Sequence, residues 1–328
     1  MFYNCNSLKD ITELKYLDVR NISNFNGVFF GCSSLTNINS LKNWIVSNGI
    51  NFSDMFDGCS SLKDINSLEN WDISNGKYFS GMFSECLSLL EVESLLNWNI
   101  SNANDLSYFF RGCISLINIE SLRNWDVSEC INFHQMFDNC KSLWKIESLQ
   151  IWNVSKGINF SEMFYGCSSL TNIKPLEKWN VSSANNFKGI FSYCYSLLDI
   201  KSLEKWDVGN SIDFKNIFFE CKSLTNIKSL ENWNVGKVMY FSGMFSGCSN
   251  LSDIKPLENW NVKAGKDFSF MFYGCSSLSD IKPLENWDVS NGNNFQKIFS
   301  GFTKVSDFKP VEKWNISKEK IEAIKNLQ

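Results

Sequence analysis

The sequence predicts an α/β repeat solenoid of about twelve 27-residue coils, with short parallel strands on one side and short helices on the other. Three observations carry this. The 328 residues equal 12 × 27 plus 4, and eleven of the twelve cysteines stand 27 apart, from Cys5 to Cys275. Eleven of the twelve tryptophans keep the same period, from Trp44 to Trp314. Each unit holds apolar residues at the same positions, those of Phe29, Cys32, Leu35, Ile38, Leu41, Trp44, Val46, Phe52 and Met55 in residues 29–55. A fixed period of this length means stacked coils that bury their faces only against neighbours.

The helical element is expected from Phe52, Met55, Phe56, Cys59 and Leu62, whose spacing of i, i+3, i+4, i+7 and i+10 marks one helical face. The residue before that Phe is Asn or Asp in nine of eleven repeats, as at Asn24, Asn51 and Asp105, and fits an N-cap. Glycine precedes the cysteine position in seven of twelve repeats, as at Gly31, Gly58 and Gly112, and fits a left-handed C-cap. The predicted helix is therefore about two turns long. Trp44, Ile45 and Val46 show period-2 alternation with β-prone residues, so a short strand is expected there or just upstream. The Ser-Leu or Pro-Leu pair between Ile38 and Trp44, with Pro175, Pro256, Pro283 and Pro310 in four coils, marks a tight helical turn. The inter-coil ladder is expected along Leu35–Ile38, Leu41–Val46 or both. A single array over residues 1–316 is followed by a C-terminal capping helix over residues 317–328, N-capped by Ser317 and striped by Ile321, Ile324 and Leu327. The N-terminus begins inside the Met-Phe position of a coil. That end is expected to fray, to self-associate, or to have been preceded by more repeats.

Composition removes several functions. Hydrophobic residues make up 44% and charged residues 20%, which argues against disorder. A net charge of −4 gives no basic nucleic-acid footprint. His134 is the one histidine, so His-rich metal sites are excluded, and it falls on an exposed helix position with no catalytic role expected. No apolar run of about 18 residues spans a membrane, and the start MFYNCNSLKD is not a signal peptide. No unit brings together an acid, a base and a nucleophile, so no enzyme and no cofactor are expected. The N-x-S sequons, such as Asn51 and Asn315, come from the repeat itself.

The string of Met55, Phe56, Gly58, Cys59, Ser60, Ser61, Leu62, Ile65, Leu68, Trp71, Ile73, Ser74 and Asn75 resembles the BspA-like leucine-rich repeats and the related Mycoplasma-type surface-protein repeats. The likeness covers essentially the whole chain. It implies a curved right-handed leucine-rich solenoid, surface display or secretion, adhesion and protein binding, with no enzymatic activity. A cytoplasmic location is the alternative, since unpaired cysteines suit a reducing compartment.

The cysteine column reads as buried small hydrophobes, because no C-x-x-C pair occurs and Phe302 fills the position in the last repeat. Cys130 stands where other coils have Gly49, Gly76, Gly157 or Gly292 and is expected to be an exposed thiol. The tryptophan column reads as core. Its alternative is a sugar-stacking platform, which would make the chain a carbohydrate-binding module. Trp144, off that column, is the candidate solvent-facing aromatic. The candidate partner-binding face is the Asx row after each Trp, namely Asp72, Asn99, Asp126, Asn153, Asn180, Asp207, Asn234, Asn261 and Asp288, joined by Asn70, Asn97, Asn124 and Trp144. That row either hydrogen-bonds a ligand or satisfies turn backbone groups. Finally, one column changes along the chain, from Glu93, Glu120 and Glu147 to Lys174, Lys201, Lys228, Lys255, Lys282 and Lys309. Glu177, Glu204, Glu231, Glu258, Glu285 and Glu312 follow three residues after those lysines. A solvated salt lattice, or an acidic patch that steers a charged partner, accounts for it. The partner expected is a protein or a cell-surface macromolecule, with no nucleic acid.

Overall fold

A computed structural model of the chain describes residues 1–305 and 307–326. The chain forms two compact units, Met1–Gly157 and Ile158–Gln328. Each is a stack of 27-residue coils, and the same local chemistry builds both.

The segment expected to be a helix is a run of tight turns. In residues 52–59 the backbone N–H groups alternate in destination. Those of Phe52, Asp54, Phe56 and Gly58 donate to Tyr78, Ser80, Met82 and Ser84 of the next coil, at 2.8–2.9 Å. Those of Met55, Asp57 and Cys59 donate three residues back, to Phe52, Asp54 and Phe56. Every fourth residue takes a left-handed backbone, φ 55° at Asp54 and 74° at Gly58. An α-helix would spend all its N–H groups on itself. Here half of them tie neighbouring coils, and the positive φ at the third residue of each turn is what a type II turn requires. The inward set remains that of a helix, because Phe52, Met55, Phe56 and Cys59 are all fully buried.

The Asx residue before the Phe does not cap a helix. Its Oδ1 accepts the N–H two residues on, as from Ser53 to Asn51 at 3.0 Å, and it opens the turn run. This position also carries single-residue parallel bridges, Asn24 to Asn51 to Tyr78 to Asp105 to Asn132 in the first unit. Asn159 to Asn186 to Asp213 to Tyr240 to Asp267 to Asn294 form the matching series in the second.

The described residues include eleven short 3-10 helices, from Thr12–Tyr16 to Lys282–Leu284; the Ser-Leu and Pro-Leu pairs lie in the last ten, while Pro310 lies in an α-helix. The expected strand at Trp44–Val46 is absent. Trp44 is extended, with φ −66° and ψ 126°, and its N–H turns back to Leu41. No strand is present among the described residues. Side chains seal this side instead. Trp44 and Trp71 stack 6.3 Å apart at 5°. Each indole N–H reaches a carbonyl one coil back, as from Trp71 to Leu41 at 3.0 Å and from Trp260 to Leu230 at 2.9 Å.

Phenylalanine columns fill the interior. Phe29, Phe56 and Phe83 stack at 5.5 and 5.6 Å with their planes within 9°. One coil breaks the pattern twice and compensates. Leu106 stands where Phe79 does in the preceding coil, and Phe109 stands where Met82 does. The Phe109 ring fills the freed space edge-on to Phe83, Phe110 and Trp125, at 5.5, 4.6 and 5.4 Å.

The C-terminus ends in two α-helices, α1 (Lys309–Glu312) and α2 (Lys318–Asn326). Ser317 opens α2 as expected, its carbonyl accepting from Ile321 at 3.1 Å and its hydroxyl from Lys320 at 3.4 Å. Ile324 is buried, and Lys325 ties α2 to Glu312 of α1 at 2.9 Å. Leu327, the third residue of the expected stripe, lies outside the described residues.

Candidate functional site

The cysteine column is a packing column. Cys59, Cys86 and Cys113 are fully buried, and each thiol donates to a Phe carbonyl 30 residues back, as from Cys86 to Phe56 at 3.3 Å. Burial pushes these thiols well above their ordinary range. Cys5 is the exception and is exposed. Cys130 corrects the sequence reading. It is fully buried, its thiol is pushed up to about 12 by burial, and it reaches the Asn132 carbonyl at 3.4 Å. The column it joins is a core column because the following Phe ring lies over it. A Cβ on Gly49 would come within 2.2 Å of Phe52 Cζ. His134 is also corrected. It stands half-buried in a turn, its ring edge-on to Tyr108 at 4.9 Å.

Eleven tryptophans are at most 6% exposed, whereas Trp144 is 54% exposed. The tryptophan column is therefore no sugar-stacking platform. Among the described residues no group of three or more His, Cys, Asp or Glu is placed to hold a metal ion. No helix among the described residues is long and apolar enough to cross a membrane.

The candidate face divides into two flanks of each buried Trp. On one flank runs the row Asp72, Asn99, Asp126, Asn153, Asn180, Asp207, Asn234, Asn261 and Asp288. Asp288 is half-buried and the others are exposed. In each, Oδ1 accepts the backbone N–H two residues on, at 3.1 Å for Asp72 to Ser74 and 3.0 Å for Asp207 to Gly209. The Ser128 hydroxyl, and after it the Ser128 N–H, hold the Asp126 carboxyl below the usual carboxylate range. Asp288 lies further below, through Ser290 and then Asn315. The next row bridges coils, the amides of Asn75 and Asn102 donating to Ser47 and Ser74 at 2.8 Å. One oxygen of every row member is thus spent on its own turn.

The other flank holds Asn70, Asn97, Asn124 and Trp144, all exposed. It is a shallow inter-coil groove. In the second unit one such groove, of about 480 Å³, is lined by Thr171, Lys174, Glu177, Leu198, Lys201 and Lys205 among others. Trp144 occupies the column of Thr171 and Leu198, and Asn70, Asn97 and Asn124 that of Lys205. Sequence reading missed a further Asx row on this flank, which opens most of the 3-10 helices, Glu91 and Lys145 being the exceptions. Asn37, Asn172 and Asp199 accept from Asn39, Lys174 and Lys201 at 2.7–2.8 Å. Its signal was Asn or Asp one residue before Ile38 in most repeats. The expected pairing of lysine and glutamate columns occurs between Lys228 and Glu231, whereas Glu177 is met across coils by Lys205, which lies outside the lysine column, at 3.7 Å.

No curated protein matches the chain. Among solved structures it is similar to a leucine-rich repeat protein of T. pallidum, 20% identical over 55% of this chain and 73% of that one, with a TM-score of 0.33. An internalin of Listeria monocytogenes is 13% identical over 86% and 82%, with a TM-score of 0.29. A leucine-rich cell surface protein of Faecalibacterium prausnitzii is 16% identical over 91% and 78%, with a TM-score of 0.39. Residues 1–119, 104–228 and 212–325 each match the family described as Mycoplasma protein of unknown function, DUF285, and the chain belongs to that family.

Proposed function

We propose that this chain is a non-catalytic, BspA-like leucine-rich repeat protein that mediates protein–protein interaction or adhesion, displayed at the cell surface or secreted. In this reading it forms a right-handed coil of about twelve units and contributes the exposed flanks of the Trp column as its binding face. Asp72, Asn99, Asp126, Asn153, Asn180, Asp207, Asn234, Asn261 and Asp288 offer hydrogen bonds on one flank. Asn70, Asn97, Asn124 and Trp144 offer contacts on the other. One observation carries the reading. The residues that recur in every coil are consumed by the scaffold, while the groove columns change from coil to coil, as Leu90, Ile117, Trp144 and Thr171 do. A rigid frame that holds a varied surface in fixed register is suited to recognising a macromolecule. The resemblance to surface-protein repeats supports the location.

Two experiments test this. Intact cells producing the chain are treated with trypsin and probed with an antibody against it; loss of signal without lysis is expected. The purified chain is then cross-linked to its surroundings and its neighbours identified. A chain protected until the cells are broken, or one whose only cross-links are internal, would sink the reading.

A further inference from the structure

We propose that the groove flank of the fourth to sixth coils, centred on Ile117, docks a basic amphipathic helix of a partner protein. This rests on the protein-binding reading above and names its site and the partner's chemistry.

The observation is a double departure confined to three successive coils of the first unit. Down the column that reads Lys9, Thr36, Lys63, Thr171, Leu198, Thr225, Ser252 and Ser279 elsewhere, these coils place Leu90, Ile117 and Trp144, and Leu198 lacks the glutamate three residues on that accompanies these three. These three are 45%, 42% and 54% exposed. Ile151, in the column of Asn70, Asn97 and Asn124, is 71% exposed, and Leu96 is half-buried where the other coils have Lys, Arg, Gln or Glu. Isolated apolar residues on a surface need no explanation, but a contiguous rimmed cluster marks an interaction site. Backbone bonds hold the cluster in register, from Trp144 to Ile117 and from Leu90 to Lys63, both at 3.3 Å. In the same three coils the adjacent column turns acidic, with Glu93, Glu120 and Glu147.

The charges select the partner's sign. The groove segments of these coils carry Glu91, Glu93, Glu120 and Glu147 against Arg123 and Lys145. Both cations lie 3.8 Å from Glu120. Among the described residues Glu91, Glu93 and Glu147 make no ion pair, so the rim is left negative. An anionic membrane is repelled by it. A second copy offers its lysine column, but the parallel glutamate column, Glu177 to Glu312, stands three residues on and offsets its charge.

The spacing selects the partner's conformation. Stacked coils repeat at about 4.8 Å. A helix lying along the stack offers one apolar side chain per 5.4 Å turn, so over two steps it drifts by only about 1 Å. A strand offers one every ~6.7 Å and drifts by about 4 Å. A helix with apolar residues at i, i+3 or i+4, and i+7, flanked by Lys or Arg, fits both the stripe and its rim.

Trp144 supplies the readout, since it is the exposed tryptophan. The full chain is titrated with an 18-residue amidated peptide of Leu at the helical positions and Lys elsewhere, while acrylamide quenching of the Trp144 fluorescence is followed against a Trp144→Thr reference. Saturable protection of Trp144 is expected. It should weaken at least tenfold in Leu90→Thr/Ile117→Thr and in Glu93→Lys/Glu147→Lys, changes to residues the array already carries in those columns. Leu198→Thr should leave it unchanged. The proposal is overturned if the peptide gives no protection, or if a peptide with Glu in place of Lys protects equally. Protection by raising the chain's own concentration, or by phosphatidylglycerol vesicles, also overturns it in favour of those occupants. If the Lys peptide fails while cross-linked neighbours survive both double variants, this site falls and the protein-binding reading stands.

Discussion

Proline in place of Ser229 or Ser67 should stabilise the protein. Both serines are the second residue of a three-residue 3-10 helix, Lys228–Leu230 and Asn66–Leu68. Both hydroxyls are buried with no partner in the chain. Three coils already carry proline at this position, at Pro175, Pro256 and Pro283. The geometry entering these turns is nearly the same. Ile227 has φ −118° and ψ 22°, Ile173 before Pro175 has −112° and 19°, and Ile254 before Pro256 has −116° and 15°. The first bond of the turn is made one residue later, from Leu230 to Ile227 at 3.0 Å, so proline removes no donor that the turn uses. Proline at a compatible site gains about 0.4–1 kcal/mol by restricting the unfolded chain. Relieving a buried unpaired hydroxyl adds about 1 kcal/mol, the low end for a neutral group. Each change should therefore contribute roughly 1–2 kcal/mol, and the two sites are far enough apart in sequence and unit to add. Tryptophan fluorescence during urea unfolding measures it, because the columns that report are in the core. Ser229→Ala separates the two causes, since it removes the hydroxyl and leaves the backbone free. Ser229→Pro that lowers the midpoint, or that gains no more than Ser229→Ala, would refute the backbone part of the reasoning.

Other consequences follow from single observations. Leu106→Phe alone should cost about 1–3 kcal/mol by overpacking against Phe109, and Phe109→Met alone should leave a void. The double variant restores the pattern of the neighbouring coils, so a double-mutant cycle should show coupling of about 1–2 kcal/mol; simple additivity would remove the compensation argument. Gly58→Ala should cost roughly 1–2 kcal/mol, because φ is 74° and the new Cβ would lie 3.2 Å from Gly31 Cα; an unchanged urea midpoint would contradict the turn geometry. Asp57 is pushed up to about 6, chiefly by burial, with Ser84 opposing and Asp54 and Glu85 adding. Its folded value exceeds its unfolded value of 3.8, so ionisation weakens the fold. Stability should fall as pH rises from about 4 to about 6 and then level. Asp57→Asn should flatten that window and stabilise the chain at pH 7, and an Asn variant with the slope intact would reassign it. In the native protein Ellman's reagent should titrate Cys5 promptly and Cys130 only on unfolding, as a second fast thiol would disprove.

The coil and its core were legible in the sequence because a stacked architecture writes each interior position many times. Phe56, Cys59, Leu62 and Trp71 all lie where the period places them. The helix was not legible, because a helix and a run of alternating turns bury the same set, i, i+3, i+4 and i+7. The distinguishing signal was a second glycine column, Gly27, Gly81, Gly189 and Gly243, four residues ahead of the column of Gly31 and Gly58. A helix interior has no use for glycine there, whereas left-handed turns do. Cys130 was misread for a related reason. Glycine in its column looks like loop flexibility but makes room for a phenylalanine ring, which only the stacking of Phe52 over Gly49 reveals. Trp144 was legible as an off-period aromatic. Its neighbours were not, because Leu90 and Ile117 are ordinary residues in their own coils and become a patch only when read down the column.

That patch costs the scaffold little, and the reason lies in how the coils are joined. The indole and thiol donors that bind one coil to the last reach backbone carbonyls, as from Trp125 to Leu95 at 3.0 Å and from Cys113 to Phe83 at 3.1 Å. The turn run does the same with its N–H groups. A carbonyl is present whatever side chain its residue carries, so a change at Leu90, Ile117 or Trp144 removes no inter-coil bond. The core columns have no such freedom, because each side chain there must stack on its equivalents above and below. Leu106 required Phe109, whereas Thr36, Leu90 and Trp144 succeed one another in one column without a compensating change in the core. A fold joined in this way can gain or lose a docking site one coil at a time. The departures at Leu90, Ile117 and Trp144 therefore report on what the groove meets, since the coil itself places no demand for them.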